Sequence, residues 1–151
     1  MQRLLDLIFP QRRQESPPVA PEQLAAAALM VEAARLDGRF EPHERERIAM
    51  LLEQRFGLAP DLAASLLDEA ERAADESVDW HGFTSALKER LDHDGRIAVM
   101  EMLWEIAYAD GELAALEDSL LRRVAGLLYV SGKESAQARY RALERLGLAA
   151  G

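Results

Sequence analysis

The sequence contains no cysteine among its 151 residues. This absence excludes a disulfide framework, a thiolate nucleophile, a zinc knuckle and an iron–sulfur cluster. Long hydrophobic runs are also missing, so no transmembrane helix is predicted. Aromatic residues make up only 6% of the chain, but an apolar fraction of 49% is too high for a disordered protein. We therefore expect a soluble globular protein whose length suits one domain.

Basic residues are the minority among the charged ones, with 18 Lys and Arg against 27 Asp and Glu, for a net charge of -9. A phosphate backbone would be repelled by this charge, so the sequence predicts no nucleic-acid partner. Only 2 of the basic residues are Lys, whereas 26 residues of the chain are Ala. This bias is typical of a GC-rich genome and favours a bacterial, cytoplasmic protein.

The N-terminal segment differs from the rest of the chain. Residues 1–9 contain a short apolar stretch, but Pro10 follows where a signal peptide needs a longer apolar region and a cleavage site. A short helix is predicted here, which docks onto the domain or contacts a partner or a membrane. Prolines and polar residues then predict a tether. We expect a short helix and tether over residues 1–20 and a helical domain over residues 21–151.

From Pro21 onward, apolar residues recur three and four positions apart and nowhere alternate over the length of a strand. The pattern predicts an all-α, single-domain bundle of about seven helices. The segment from Ile97 to Ala107 is strongly apolar. We therefore expect it to be the central helix of the bundle, with Leu103 and Trp104 at the heart of the core.

The chain contains a degenerate internal repeat, which appears when Asp37 is aligned with Asp110. Each copy is predicted as a helix, an acidic Asp-Gly turn and a second helix, so the fold should contain two pseudo-repeated helical hairpins. In each copy one carboxylate precedes the turn, one lies in it and one opens the following helix. These residues are Glu32, Asp37 and Glu44 in the first copy, and Glu105, Asp110 and Glu117 in the second.

These carboxylates have two interpretations. As helix caps, they would satisfy free backbone groups and the positive end of the helix dipole. As ligands, they would hold a divalent cation between the two copies, because hard cations prefer carboxylate oxygens. A standard EF-hand loop is excluded, since Ala33 and Arg35 in one copy and Ile106 and Tyr108 in the other occupy its first ligand positions.

Two further helix starts are predicted from local patterns. Asp94 fits half of the same loop pattern, but Arg90 occupies the first ligand position, so we interpret Asp94 as a helix cap. Ser131 and Glu134 have the spacing of a capping box for the last helix.

Signatures of catalysis are missing from the sequence. The three histidines have no partner at the spacing of a helical zinc site, and neither a nucleophile elbow nor a glycine-rich phosphate loop is present. The sequence therefore predicts a protein that is not an enzyme.

The segments AARLDGRFEPHE at 33–44 and IAYADGELAALE at 106–117 resemble the TerB-like family. That family includes bacterial tellurite-resistance protein B and a domain of a membrane-anchored DnaJ-type co-chaperone. The similarity covers about residues 22–146. It implies an α-helical bundle, a role in stress response and no established reaction. It also implies an acidic site gathered from the two turns, at Asp37, Glu44, Asp110 and Glu117.

Together these features favour a non-enzymatic, stress-response binding module of the tellurite-resistance type. Its acidic site would hold a divalent cation or a basic protein partner, with Glu32 and Glu105 as additional ligands. The alternative is a purely structural or scaffold domain whose acidic turns are only helix caps and whose apolar grooves hold a partner helix. No cofactor is certain, the protein partner is unknown, and membrane contact is expected only through residues 1–9.

Overall fold

The computed structural model describes residues 20–36, 40–77, 81–108 and 115–148, with side chains from 118 onward in the last range. These ranges contain seven helices and no strand, which confirms the predicted all-α bundle. The helices are α1 (Pro21–Ala34), α2 (Pro42–Phe56), α3 (Pro60–Glu76), α4 (His81–Arg90), α5 (His93–Ala107), α6 (Ala115–Leu127) and α7 (Gly132–Arg145). The predicted N-terminal helix, the tether and both Asp-Gly turns lie outside the described residues.

Residue identities at the helix ends explain where several helices begin and stop. Helices α1, α2 and α3 each begin with proline, whose missing N–H would have no partner in a first turn. Helix α2 ends at Gly57, whose φ of 66° lies in the left-handed region that glycine favours. Helix α7 begins with the predicted capping box. The Ser131 hydroxyl accepts from the Glu134 N–H at 3.0 Å, and the Glu134 carboxylate accepts from the Ser131 N–H at 2.9 Å.

The cap of α5 is a correction to the sequence analysis. Asp92, not Asp94, is the N-cap residue, and its carboxylate accepts a hydrogen bond from the Gly95 N–H at 2.8 Å. The helix begins at His93, so Asp94 already lies in the first turn. There its negative charge faces the positive end of the helix dipole without capping a backbone group in the N-cap manner.

Helix α1 occupies the centre of the bundle, against α2, α3, α4, α5 and α6. Nine of its 14 residues are buried, including the run Ala25–Val31, so it has no solvent-facing side along that stretch. The prediction that α5 is the central helix is therefore wrong. Helix α5 has larger apolar side chains, but among the described helices its main contacts are with α1, α2, α6 and α7. The small alanines of α1 let neighbours approach from every side.

The expected core of α5 is confirmed. Leu103 and Trp104 are 1% and 4% exposed. The Trp104 indole N–H donates to the Ser135 hydroxyl of α7 at 3.2 Å, and the Arg139 guanidinium lies 5.7 Å from the centre of the indole ring. Because the buried indole has both a hydrogen-bond partner and apolar neighbours, it fixes α7 against α5.

The internal repeat extends over three helices rather than two. We define the first unit as α1–α3 and the second unit as α5–α7. Corresponding helices begin 72 or 73 residues apart, at 21 and 93, at 42 and 115, and at 60 and 132. In each unit the first helix packs against the third, and between units α1 contacts α5 and α6 while α2 contacts α5. These contacts are those expected of a pseudo-twofold axis between the units.

Helix α4 connects the two units and packs against α1 and α6. Across the described ranges, no helix is both long and apolar enough to cross a membrane.

Candidate functional site

The six carboxylates predicted from the repeat are only partly described. Asp37 and Asp110 lie outside the described residues, and Glu117 lies in α6 with its side chain outside them. Within the described ranges, no three His, Asp or Glu side chains are grouped in a way that could hold a metal ion. The remaining three predicted residues, Glu32, Glu44 and Glu105, are therefore not brought together by the structure.

Glu44 is part of a capping box at the start of α2. Its carboxylate accepts a hydrogen bond from the Glu41 N–H at 2.7 Å, and the Glu41 side chain accepts from the Glu44 N–H. Two backbone donors of the first turn are satisfied in this way. The role that the cap interpretation assigns to Glu44 is thus present in the structure.

Glu32 lies near the end of α1, just before the first Asp-Gly turn, and it is half-buried. Burial raises the pKa of its carboxyl and outweighs the opposing charge of Arg35, while the negative charge of Asp75 raises the pKa further. Arg35 itself donates a hydrogen bond to Asp75 at 2.6 Å. The first turn is therefore preceded by a carboxyl that takes up a proton more readily than an ordinary glutamate.

Two buried carboxylates occupy successive turns of α5. Glu101 and Glu105 are 4% and 5% exposed, and both contact arginines from other helices. Arg55 comes from the end of α2, and Arg141 and Arg145 come from α7. We call these five residues the carboxylate–arginine cluster. Buried charges need such partners, because an unpaired ion in the protein interior is strongly disfavoured.

Glu101 is the centre of the carboxylate–arginine cluster. Arg141 donates from Nε to Glu101 Oε2 at 2.6 Å, and Arg145 donates to Oε1 through Nε and Nη2. Arg55 Nη1 lies 3.3 Å from Glu101 Oε1 and 3.0 Å from Glu105 Oε2. Glu105 also lies 3.3 Å from the Nε atom of Arg145. The Arg55 guanidinium of the first unit thus binds two carboxylates of α5, and these carboxylates also bind arginines of α7.

The two carboxyls of the carboxylate–arginine cluster titrate differently. Burial acts to raise the pKa of Glu101, but hydrogen bonds from Arg141 and Arg145, with the charges of Arg145 and Arg55, hold it below its ordinary value. At Glu105 burial prevails over the charges of Arg55 and Arg145, and the neighbouring Glu101 charge raises the pKa further. Glu101 is therefore the firmly ionised member of the pair, and Glu105 is the member that protonates first.

Glu44 and Glu105 are held near opposite ends of α2. Glu44 caps the first turn of this helix, whereas Glu105 binds Arg55, which lies eleven residues further along. Eleven residues of α-helix span about 16 Å. With their present hydrogen-bond partners, these two carboxylates are directed away from any shared ligand position.

The carboxylate–arginine cluster was not predicted from the sequence. The repeat directed attention to Glu105, but Glu101 corresponds to Ala28 in the first copy and so stood outside the repeated pattern. A signal was nevertheless present: glutamates four residues apart in a strongly apolar helix, and arginines four residues apart in the last helix. Ionisable residues on such a helix require buried partners, and α7 supplies them at the matching spacing.

Comparison with known proteins identifies the family. A family model described as Tellurite resistance protein TerB matches residues 23–140. The chain belongs to the TerB family. The match spans both repeat units of the TerB domain up to the middle of α7, and it confirms the resemblance seen around the two Asp-Gly turns. No curated protein and no solved structure matched the chain.

Proposed function

We propose that this TerB-family chain is a non-enzymatic binding module that acts in a bacterial, cytoplasmic stress response related to tellurite resistance. The observation that carries the proposal is the family match, which includes both Asp-Gly turns within residues 23–140. The absence of cysteine and of recognisable nucleophile or phosphate-loop motifs in the sequence supports a binding role over a catalytic one.

The ligand in this proposal is a divalent cation held weakly, or a basic surface of a protein partner. The acidic turns are its binding elements, through Asp37 and Asp110 with Glu44 and Glu117. Support comes from the repetition of the same carboxylate trio in two units that pack against each other. A cap alone requires an acid at each turn but gives no reason to repeat the whole trio. Glu105 contributes less to such a site, because its carboxylate already has arginine partners.

A scaffold function is the second candidate, and the capping box of Glu44 is the observation that favours it. In this case the acidic residues stabilise helix starts, and the domain serves only to present its surface to a partner. The two functions differ in one property that is simple to measure, namely the response of the fold to divalent cations.

The test is a double substitution, Asp37→Asn with Asp110→Asn, in the full-length chain. Asparagine retains capping capacity but removes two negative charges, so it separates charge from hydrogen bonding. The control is Asp61→Asn with Glu76→Gln, which removes the same charge from exposed positions of α3. Melting temperature and calorimetric heat are measured with calcium, magnesium, manganese and zinc.

A cation site requires that the wild-type protein and the control melt at a higher temperature with one of these ions, and that the double variant does not. The double variant should also be at least as stable as wild type without the ion, since clustered carboxylates repel one another. A wild-type protein that responds to none of the ions, but binds a basic peptide through these two aspartates, would assign the turns to a protein partner. The scaffold function is favoured if both responses are absent.

A further inference from the structure

Helix α7 presents an outward face of mixed basic and aromatic character. One side of the helix carries Lys133 and, four, seven and eight positions after it, Gln137, Tyr140 and Arg141. Together with Ala136, these residues line a shallow recess. Tyr140 is 51% exposed, so its ring is accessible to a partner. We call this surface the α7 face. None of its residues belongs to either Asp-Gly turn or to the carboxylates of the proposed acidic site.

Arg141 is held in a fixed position on the α7 face. Its Nε atom donates to the buried Glu101 carboxylate at 2.6 Å, yet its side chain remains 44% exposed. Within the described part of the chain, neither of its Nη groups makes a hydrogen bond. A guanidinium fixed in this way loses little conformational freedom on binding and presents donors that match a carboxylate.

Positive charge dominates the α7 face. Lys133 makes no ion pair within the described ranges, and none of the described residues that line the recess is acidic. Glu144 follows one turn after Tyr140 but is not among the lining residues. The recess therefore offers the Lys133 ammonium and the Nη groups of an arginine already paired with Glu101, with an aromatic surface beside them, on a protein whose net charge is -9.

We infer that the α7 face binds an acidic helical segment of another protein. Carboxylates of that segment pair with Lys133 and Arg141, and an apolar side chain packs on Tyr140. Tyrosine and arginine are the residue types that contribute most to protein–protein binding energy. A protein segment fits better than a nucleic acid, because the recess can pair with one or two carboxylates, whereas a phosphate backbone would bring many closely spaced charges against a protein whose net charge is -9.

The charge of the whole protein gives this interaction a characteristic salt dependence. At low ionic strength the net charge of -9 repels an acidic segment before the α7 face is reached. At about 0.15 M salt the screening length is about 8 Å, so the long-range repulsion is weakened while the direct pairs persist. Binding should therefore be tighter at about 0.15 M than at about 0.01 M salt, the reverse of a simple surface ion pair.

The probe is a fluorescent helical peptide with glutamates at positions i, i+4 and i+8 and a leucine at i+7. A peptide of the same length with lysines in place of the glutamates is its control. Fluorescence anisotropy measures the affinity of full-length protein, and amide chemical shifts locate the surface. Lys133→Gln and Tyr140→Ala change the recess without touching the carboxylate–arginine cluster. Arg72→Gln, an exposed residue of α3, removes the same charge elsewhere.

The inference requires that the acidic peptide bind, that Lys133→Gln and Tyr140→Ala each weaken it roughly fivefold or more, and that Arg72→Gln leave it unchanged. It is overturned if the acidic peptide does not bind, if the lysine peptide binds equally well, or if the two recess variants bind like wild type. Inorganic phosphate that reproduces the same amide shifts at equal ionic strength would show a simple anion site instead. Self-association that Tyr140→Ala abolishes would assign the surface to a second copy of this chain, which also overturns it.

Discussion

The two repeat units share one architecture but meet each other through contacts of opposite character. One contact between the units joins α1 of the first unit to α6 of the second. The residues there are apolar: Ala28 of α1 and Leu128, which directly follows α6, are both fully buried. The positions equivalent to these, 73 residues away, are Glu101 in α5 and Arg55 at the end of α2. There the contact between units is ionic, with Arg55 Nη1 3.3 Å from the Glu101 carboxylate.

This difference shows that a pseudo-twofold fold does not need symmetric chemistry. An apolar contact gains free energy from buried area and tolerates small shifts of the helices. A buried ionic contact must first offset the cost of desolvating its charges, but it is directional and depends on pH. The ionic contact of α2 with the second unit is therefore more sensitive to geometry and to pH than the apolar contact of α1 with α6.

The largest effect is expected at the core of the second unit. Trp104→Ala removes a buried indole together with its hydrogen bond to Ser135, so it should lower the free energy of unfolding by about 3–5 kcal/mol. Val31→Ala, at the equivalent buried position of α1, is the matched substitution and should cost less because it removes fewer atoms. Urea unfolding measures both. An unchanged midpoint for Trp104→Ala would show that α5 is peripheral.

The next effect concerns the ionic junction itself. Glu101→Gln leaves three guanidinium groups around a neutral amide, and breaking a buried ion pair on one side typically costs about 3 kcal/mol. Glu105→Gln should cost only about 1 kcal/mol, because burial already disfavours the ionised form of this residue. Denaturant unfolding at neutral pH compares the two variants. Equal losses would contradict the view that Glu101 is the firmly ionised centre.

A smaller effect, with opposite signs at the two carboxyls, is expected on changing the pH. The pKa of Glu105 is raised in the folded state, so its contribution to stability grows as the pH falls through that pKa. The pKa of Glu101 is lowered, so its contribution is complete above the unfolded value of about 4.3 and is lost as the pH falls through the folded pKa.

The difference in free energy of unfolding between wild type and Glu105→Gln, called the gap below, should therefore widen from pH 7 towards about 4.3. The gap between wild type and Glu101→Gln should narrow below that value. Urea midpoints of the three proteins, measured from pH 7 to below about 4.3, check both slopes, and two gaps that change in the same direction would refute the assignment.

The smallest effect is expected outside both units. Deleting residues 1–20 should change the free energy of unfolding by less than about 0.5 kcal/mol, since the prolines of this segment interrupt continuous packing. Differential scanning calorimetry of the shortened chain is the measurement. Loss of a single cooperative transition would show instead that the segment belongs to the domain. Unchanged stability with weakened membrane or partner binding would give the segment a role in binding.

Sequence patterns predicted local structure well and contacts between helices poorly. Gly57 and the Ser131–Glu134 capping box follow from residue types a few positions apart, so the sequence contains all the information that they require. The pairing of Arg55 with Glu101 joins positions 46 residues apart on different helices. Its geometry depends on how those helices cross, which no periodicity records.

The candidate site shows the same limit. The repeat marked Glu105 as a candidate cation ligand, but its carboxylate lies beside Arg55 and Arg145, which the repeat pattern does not include. The central position of α1 was missed for a related reason. Each alanine contributes little hydrophobicity, so the larger side chains of α5 dominated the prediction. In the folded bundle, however, small side chains allow the closest approach of neighbouring helices.

The position of α1 has a consequence for the synthesis of the chain. This helix leaves the ribosome before the other described helices, yet α5 and α6, which cover its remaining sides, begin about 60 to 80 residues after it ends. At typical translation speeds that interval lasts several seconds, on the order of 3–16 s. During that interval α2, α3 and α4 are the only described helices that can cover α1, so the part of its apolar surface that α5 and α6 cover in the folded protein has no partner helix. The nascent protein is therefore most vulnerable to aggregation while it is half made, and chaperones that bind short apolar helices should act during that window.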